Sequence, residues 1–386
     1  MSLKSKGKRL ISAVLALAMA AGMLAGCGAA GAPAQASAAS AAASAAESGA
    51  GAAVTIRDGD GNTFTFDKPI TRAVVYDRYN TEVFRAVGAC GVMVGVDQDA
   101  VDTYPKYWTG VGDTVKIVGA SCTDFNVEKI VEIKPDAVFT SSLGEYESMR
   151  DQLKKFGIPV IVINAWKPSE FYDYITLVGN VTGHADQAAE YISFCKNAMA
   201  AVNTGLASIP DSQKKTVYFE NGGQYKTCLK GSGWNDMIES AGGVNIFGDV
   251  KFDSSDSSKG NTSSYEVDPE AIIKADPDVI IENIYSTKEH SKLEATVELA
   301  DGELEQELET FAGRAGWGSL DAVKNKQVYG FTSFLGNANS KLVAIMYISK
   351  WLYPDTFRDL DPDAFFKQWC TYMGFDQFEG YAAGLA

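Results

Sequence analysis

The chain has 386 residues, 46% of them hydrophobic, which is enough to bury two ordinary cores, and a formal net charge of −15. That acidic balance argues against nucleic acid and anionic lipid as partners. Its six cysteines include no C-x-x-C spacing, so neither a zinc knuckle nor a disulfide framework is expected.

In chain order, Lys4, Lys6, Lys8 and Arg9 precede the apolar run Leu10 to Gly26. This is the layout of a secretory signal, too short and wrongly flanked for a membrane span. The run ends in Leu24-Ala25-Gly26-Cys27, which resembles the lipobox of bacterial lipoproteins. The resemblance implies cleavage before Cys27, which then carries a diacylglycerol. Two or more acyl chains anchor a protein stably, so the expected location is the outer face of the cytoplasmic membrane. Loss of a leader with four positive and no negative charges leaves 30 Lys plus Arg against 49 Asp plus Glu, a net charge of −19. Residues 27–52 are almost wholly Ala, Gly and Ser, the composition of a flexible tether.

A hairpin is expected around Asp58-Gly59-Asp60-Gly61, with alternating apolar and polar residues on either side. The strand Ala73 to Tyr76 then leads into a helix capped by Asn80 or Thr81 and ending near Gly88, and GVMVGVD reads as a second strand. Its exit, Gln98 to Gly110, reads as a loop carrying Tyr104, Tyr107 and Trp108. A helix over Glu145 to Phe156, the strand IPVIVIN and a helix near Glu170 to Gly179 complete a first lobe, residues 53–183. From 184 to 208 the helical spacing runs for about six turns without an interior proline, which suggests a rigid connector. Residues 209–386 repeat the alternation of strand and helix, with a Ser-rich loop from Asp249 to Ser264. Alternating strands and helices predict an α/β fold of two doubly wound lobes with central parallel sheets, joined by one long helix.

One stretch occurs twice. Asn126 to Phe139, NVEKIVEIKPDAVF, returns 142 positions later as Asp268 to Ile281, DPEAIIKADPDVII. Each copy opens on a capping Asn or Asp, places a glutamate two residues on (Glu128, Glu270), and breaks at Pro-Asp into an apolar run. A proline disfavours α geometry in the residue before it, so Lys134 and Asp276 should end the two helices.

The echo, the connector, and the ordered landmarks TEVFRAVGACGVMVGV, VEKIVEIKPDAVF, VTGHADQAAEY, GWNDMIESAGGVNIF, PEAIIKADPDVII and YISKWLYPD together resemble the class III periplasmic binding proteins. These are lipid-anchored substrate-binding subunits of ABC importers for ferric siderophores, haem, vitamin B12 and some oxyanions. The resemblance covers roughly residues 70 to 375. It implies a ligand held between two lobes with little hinge motion, a metal-chelate cargo of the ferric siderophore type, a monomeric carrier, and a partner made of a permease dimer with its ATPase subunits. It also implies that Glu128 and Glu270 dock onto arginines of the permease, where a single such glutamate would otherwise read as a complement to its helix N-terminus.

In open α/β sheets, ligands bind beyond the carboxyl ends of the strands. The loops there offer Arg78, Tyr79, Tyr107, Trp108, Ser141 and Ser142 from the first lobe. The second lobe offers Tyr225, Lys230, Trp234, Asn283, Tyr285, Arg314, Trp317 and Thr332 to Asn337. Aromatic rings with a few cations suit a large, planar, anionic ligand. His184 and His290 are the only histidines, too few for a bare-metal site built on them. There is no G-x-S-x-G, no phosphate-cradling glycine loop and no convincing Ser/His/Asp set, so enzyme activity is not expected.

Overall fold

The computed structural model describes residues 53–103, 108, 114–255, 258–284, 302–336, 340–374 and 381–385. The leader, Cys27, the tether, Tyr104, Tyr107, Tyr285 and His290 lie outside the described residues.

The first lobe is built on five parallel strands in the order Lys116–Ile117, Met93–Val96, Ala73–Val75, Ala137–Thr140, Val160–Val162. The last three are buried along their whole length, which is why they read as unbroken apolar runs. Register partners in parallel strands share a face. Val74, Val138 and Val160 meet Ile130, Met149 and Leu153 on one side, while Val75, Phe139 and Ile161 meet Val83, Phe84, Ile175 and Val178 on the other.

The second lobe has four parallel strands, ordered Val244–Asn245, Thr216–Asn221, Val279–Ile284, Val328–Thr332. Antiparallel additions make this sheet mixed. Lys226–Thr227, Ser264–Glu266 and Gly260–Asn261 form a ribbon on one side, and Ala382–Gly384 closes the other. The ribbon occupies part of the stretch expected to be loop. Its strands are two or three residues long, too short to show alternation, and its turn depends on Gly260, where φ is +105 and a Cβ would fall 2.1 Å from Ser264 O. Helices Gln98–Thr103, Glu303–Ala312 and Pro362–Met373 also have no counterpart in the sequence reading.

The two echoed helices are Val127–Ile133 and Pro269–Ala275, seven residues each. Asn126 accepts from Lys129 N, and Asp268 accepts from Glu270 N, so both are the expected caps. Lys134 and Asp276 end the helices as expected. They do so in the left-handed region, at φ 50 and φ 42, rather than the extended one that the following prolines favour.

The connector is the 22-residue helix Ala185–Leu206, about 33 Å long at the usual rise. Its Tyr191, Cys195 and Val202 belong to one buried cluster that runs from Val75 and Phe139 of the first sheet to Phe219, Ile281 and Phe331 of the second. The helix Pro362–Met373 follows the second lobe in sequence but lies along the connector. Phe365 stacks on Phe194 at 4.5 Å, and Tyr372 OH donates to Glu190. At its end Met373 O accepts from Arg85 of the first lobe at 3.1 Å. Opening the lobes would expose this shared core, so a large hinge movement is costly.

Candidate functional site

At the carboxyl end of the first sheet, Asp77 ties three strands together. Its N–H donates to Asp97 Oδ2 at 2.6 Å, its Oδ2 accepts from Ser141 Oγ at 2.7 Å, and its Oδ1 accepts from Tyr79 N, capping the helix Arg78–Ala86. The cap is therefore Asp77, not Asn80 or Thr81; Asn80 is buried, with its Nδ2 donating to Tyr76 O. Asp77 holds φ 80 and ψ 128, a conformation that costs a non-glycine residue about 1–3 kcal/mol and is held here by these three bonds. Asp97 in turn accepts from Ala100 N at the start of Gln98–Thr103. Burial raises both acids, and it outweighs the two N–H donors on Asp97 to bring that carboxyl to about 6.

Arg78 and Tyr79 stand half-buried beside this network. The Arg78 guanidinium is 3.3 Å from Asp99 Oδ2, and its Nη2 donates to Tyr79 OH. Leu143, in the loop that follows Ser141 and Ser142, is 54% exposed, an apolar contact that the sequence reading did not single out. Trp108 has a packing role in the structure. It is 7% exposed, its indole N–H donates to Ala100 O, and the Arg85 guanidinium lies 5.2 Å from its ring.

The second sheet carries a buried charge cluster near its carboxyl end. Glu220 and Glu282 are register partners on one face. Arg314 grips Glu220 with both terminal nitrogens, at 2.7 and 2.8 Å. Tyr218 OH and Tyr225 N donate to the same carboxylate at 2.9 Å. The Arg314 guanidinium lies about equally near the rings of Phe311, Tyr225 and Trp317, at 4.5, 5.0 and 5.1 Å. Arg314 and Tyr225 are thus brought together, as parts of a paired and aromatic-walled assembly. Burial, then the charges of Glu220 and Glu307, push Glu282 up to about 8 against the opposing Arg314, so it is largely protonated at neutral pH. Lys230 is exposed and apart from this cluster's contacts. At the next register position of the same two strands, Asn283 Nδ2 donates to Asn221 Oδ1, and Trp234 is 9% exposed.

Sequence reading passed over Asp97, Glu220 and Glu282. A signal existed for the glutamates, since each interrupts an otherwise apolar strand, VYFEN and VIIENI, where a charge needs a buried partner. Among the described residues Cys90, Cys122, Cys195, Cys228 and Cys370 are all free thiols.

The profile of the periplasmic binding protein family matches residues 74–333. The chain belongs to the periplasmic binding protein family. Its relatives include the ABC transporter substrate-binding lipoprotein YvrC of Bacillus subtilis, 26% identical over 309 residues that span 78% of this chain and 86% of that one. The cobalamin-binding protein of Halobacterium salinarum is 25% identical over 229 residues, 59% of this chain and 58% of its own length. Among solved structures, the TroA-like periplasmic binding protein FepB from Veillonella parvula shares the fold with a TM-score of 0.68 at 23% identity, covering 86% of this chain and all of that one. Members of this family are extracytoplasmic substrate-binding proteins of transport systems and not enzymes. No helix among the described residues is long and apolar enough to cross a membrane.

Proposed function

We propose that this periplasmic binding protein is the lipid-anchored carrier of an ABC importer, and that its cargo is a corrinoid of the cobalamin type. The observation that carries the choice of cargo is the pairing of the two arginines near the strand ends. Arg78 faces Asp99 and Arg314 is held bidentate by Glu220, with Asp77, Asp97 and Glu282 close by. Both of these arginines are therefore already paired, whereas a ferric catecholate would need several free cations. A large amide-rimmed ring with one anionic group suits aromatic and apolar surface better. The relatives named as cobalamin-binding point the same way.

The siderophore reading keeps one supporting observation. The Arg78 side chain is 30% exposed and its partner Asp99 is 54% exposed, so an anionic ligand could compete for it with little loss of burial. Titration calorimetry of the purified protein with cyanocobalamin and with a ferric catecholate separates the two. Saturable binding of cyanocobalamin alone supports the corrinoid; binding of the ferric catecholate alone overturns it.

Delivery rests on the echo. Glu128 and Glu270 are both exposed, each in the first turn of an equivalent helix on an equivalent lobe. Two such carboxylates suit a two-point electrostatic contact with the arginines of a permease dimer driven by its ATPase subunits. Cys27, as the lipidated N-terminus, would keep a monomeric carrier within reach of that partner.

A further inference from the structure

Lys341 is the first residue of the helix Lys341–Leu352, which leaves the carboxyl end of the strand Val328–Thr332. Its Nζ lies 5.7 Å from the centre of the Trp234 ring. It also approaches Gly233 so closely that a Cβ there would come within 2.7 Å of it. Trp234 also packs closely on Gly336, where a Cβ would fall 1.8 Å from Cη2 of the indole. Gly233 starts the helix Gly233–Ser240, whose cap Ser232 accepts from Asn235 N, leaving the N–H of Gly233 outside the helical ladder.

No hydrogen bond or ion pair with a described residue holds this ammonium. The charges that act on it are Asp236, on the same helix as Trp234, and Glu82, buried on the first-lobe helix Arg78–Ala86. Burial lowers the pKa of Lys341, and these two acids oppose the shift. The side-chain nitrogen is left with its donors unspent where second-lobe strand ends meet a first-lobe helix.

We propose that Lys341 is the contact for the anionic group of the ligand, which in a corrinoid cargo is the phosphodiester of the nucleotide loop. A half-buried ammonium has lost much of its hydration, and a charge-assisted bond to an oxyanion replaces it. The Trp234 face steadies the cation, and the free N–H at the helix start adds a second donor toward the same oxyanion. The inference rests on the corrinoid reading above.

The test is titration calorimetry of the wild type, Lys341→Met and Lys341→Arg with two probes. One is cyanocobalamin; the other is dicyanocobinamide, which keeps the corrin ring but lacks the nucleotide loop and its phosphate. Lys341→Met is expected to weaken cyanocobalamin about tenfold or more and to change dicyanocobinamide by no more than about twofold, with Lys341→Arg retaining most of the affinity. Retained dicyanocobinamide binding also reports that the variant is folded. Equal losses for both probes, or no loss for cyanocobalamin, would overturn the proposal and leave Lys341 as a counter-charge to Glu82. A wild type that binds neither probe overturns the corrinoid reading, and this contact with it.

Discussion

Asp278 does for the second lobe what Asp136 does for the first. Asp136 Oδ2 accepts from Thr71 N at 2.8 Å, from Thr71 Oγ1 at 3.3 Å and from Arg72 N at 3.0 Å. Asp278 Oδ2 accepts from Thr216 N at 2.8 Å and from Thr216 Oγ1 at 2.9 Å. In each lobe the Pro-Asp that ends the echoed helix thus pins the start of the neighbouring central strand. Asp278→Ala leaves two donors at the amino end of that strand to water or to nothing, and is expected to cost about 1–2 kcal/mol. Asp136→Ala should cost a similar amount. Urea unfolding of both single variants checks this, and a loss confined to one lobe's variant would show that the two positions are not equivalent.

The Glu220–Arg314 pair is buried, with side-chain exposures of 5% and 13%. Breaking such a pair from one side leaves an uncompensated charge. Arg314→Met is therefore expected to destabilise the protein by about 3 kcal/mol, much more than removal of the exposed Arg358–Asp355 pair. The comparison of urea midpoints at pH 7 decides it.

Stability should also depend on pH through Glu282. Its folded-state value of about 8 lies above the usual value of 4.5, so between those limits the folded state keeps a proton that the unfolded chain has released. Stability from this group is complete below about 4.5 and is lost as pH rises toward and through 8. The urea midpoint of the wild type should fall between pH 6 and pH 9, and Glu282→Gln should flatten that slope. An unchanged slope in Glu282→Gln would assign the pH dependence to other groups.

Glu128→Ala with Glu270→Ala should leave ligand affinity unchanged, because both side chains are exposed in first helical turns rather than at the strand ends. Transport by cells carrying the double variant should stop, while either single variant should retain part of it, since one contact point remains. Ligand titration of the variant beside cellular uptake provides both readouts. Normal uptake by the double variant would remove these glutamates from the docking surface.

Sequence alone determined the repeat, and through it most of the fold. Local signals with short range sufficed: caps at Asn126 and Asp268, breaks at Pro135 and Pro277, apolar strand runs buried on both faces, and a long uninterrupted helical spacing for the connector. Elements without such signals stayed invisible. The two- and three-residue strands of the ribbon have no period to detect, and the helix Pro362–Met373 belongs with the connector only because Phe365 and Tyr372 find Phe194 and Glu190 from far along the chain.

The placement of the candidate residues was legible in outline, because they come from loops after parallel strands, and Arg78, Tyr79, Tyr225 and Arg314 do lie near those strand ends. Their chemistry was not, because a residue type does not state its partner. Arg314 reads as a free cation until Glu220 is found 94 positions away, and Trp108 reads as a loop aromatic until its ring is found buried over Arg85. The sequence reading does not single out Lys341, whose setting emerges only where Trp234 and Gly233 close around it. Charge and aromaticity are properties of the chain, whereas pairing, burial and the pKa shifts that follow from them belong to contacts between distant segments, and only the tertiary structure decides those.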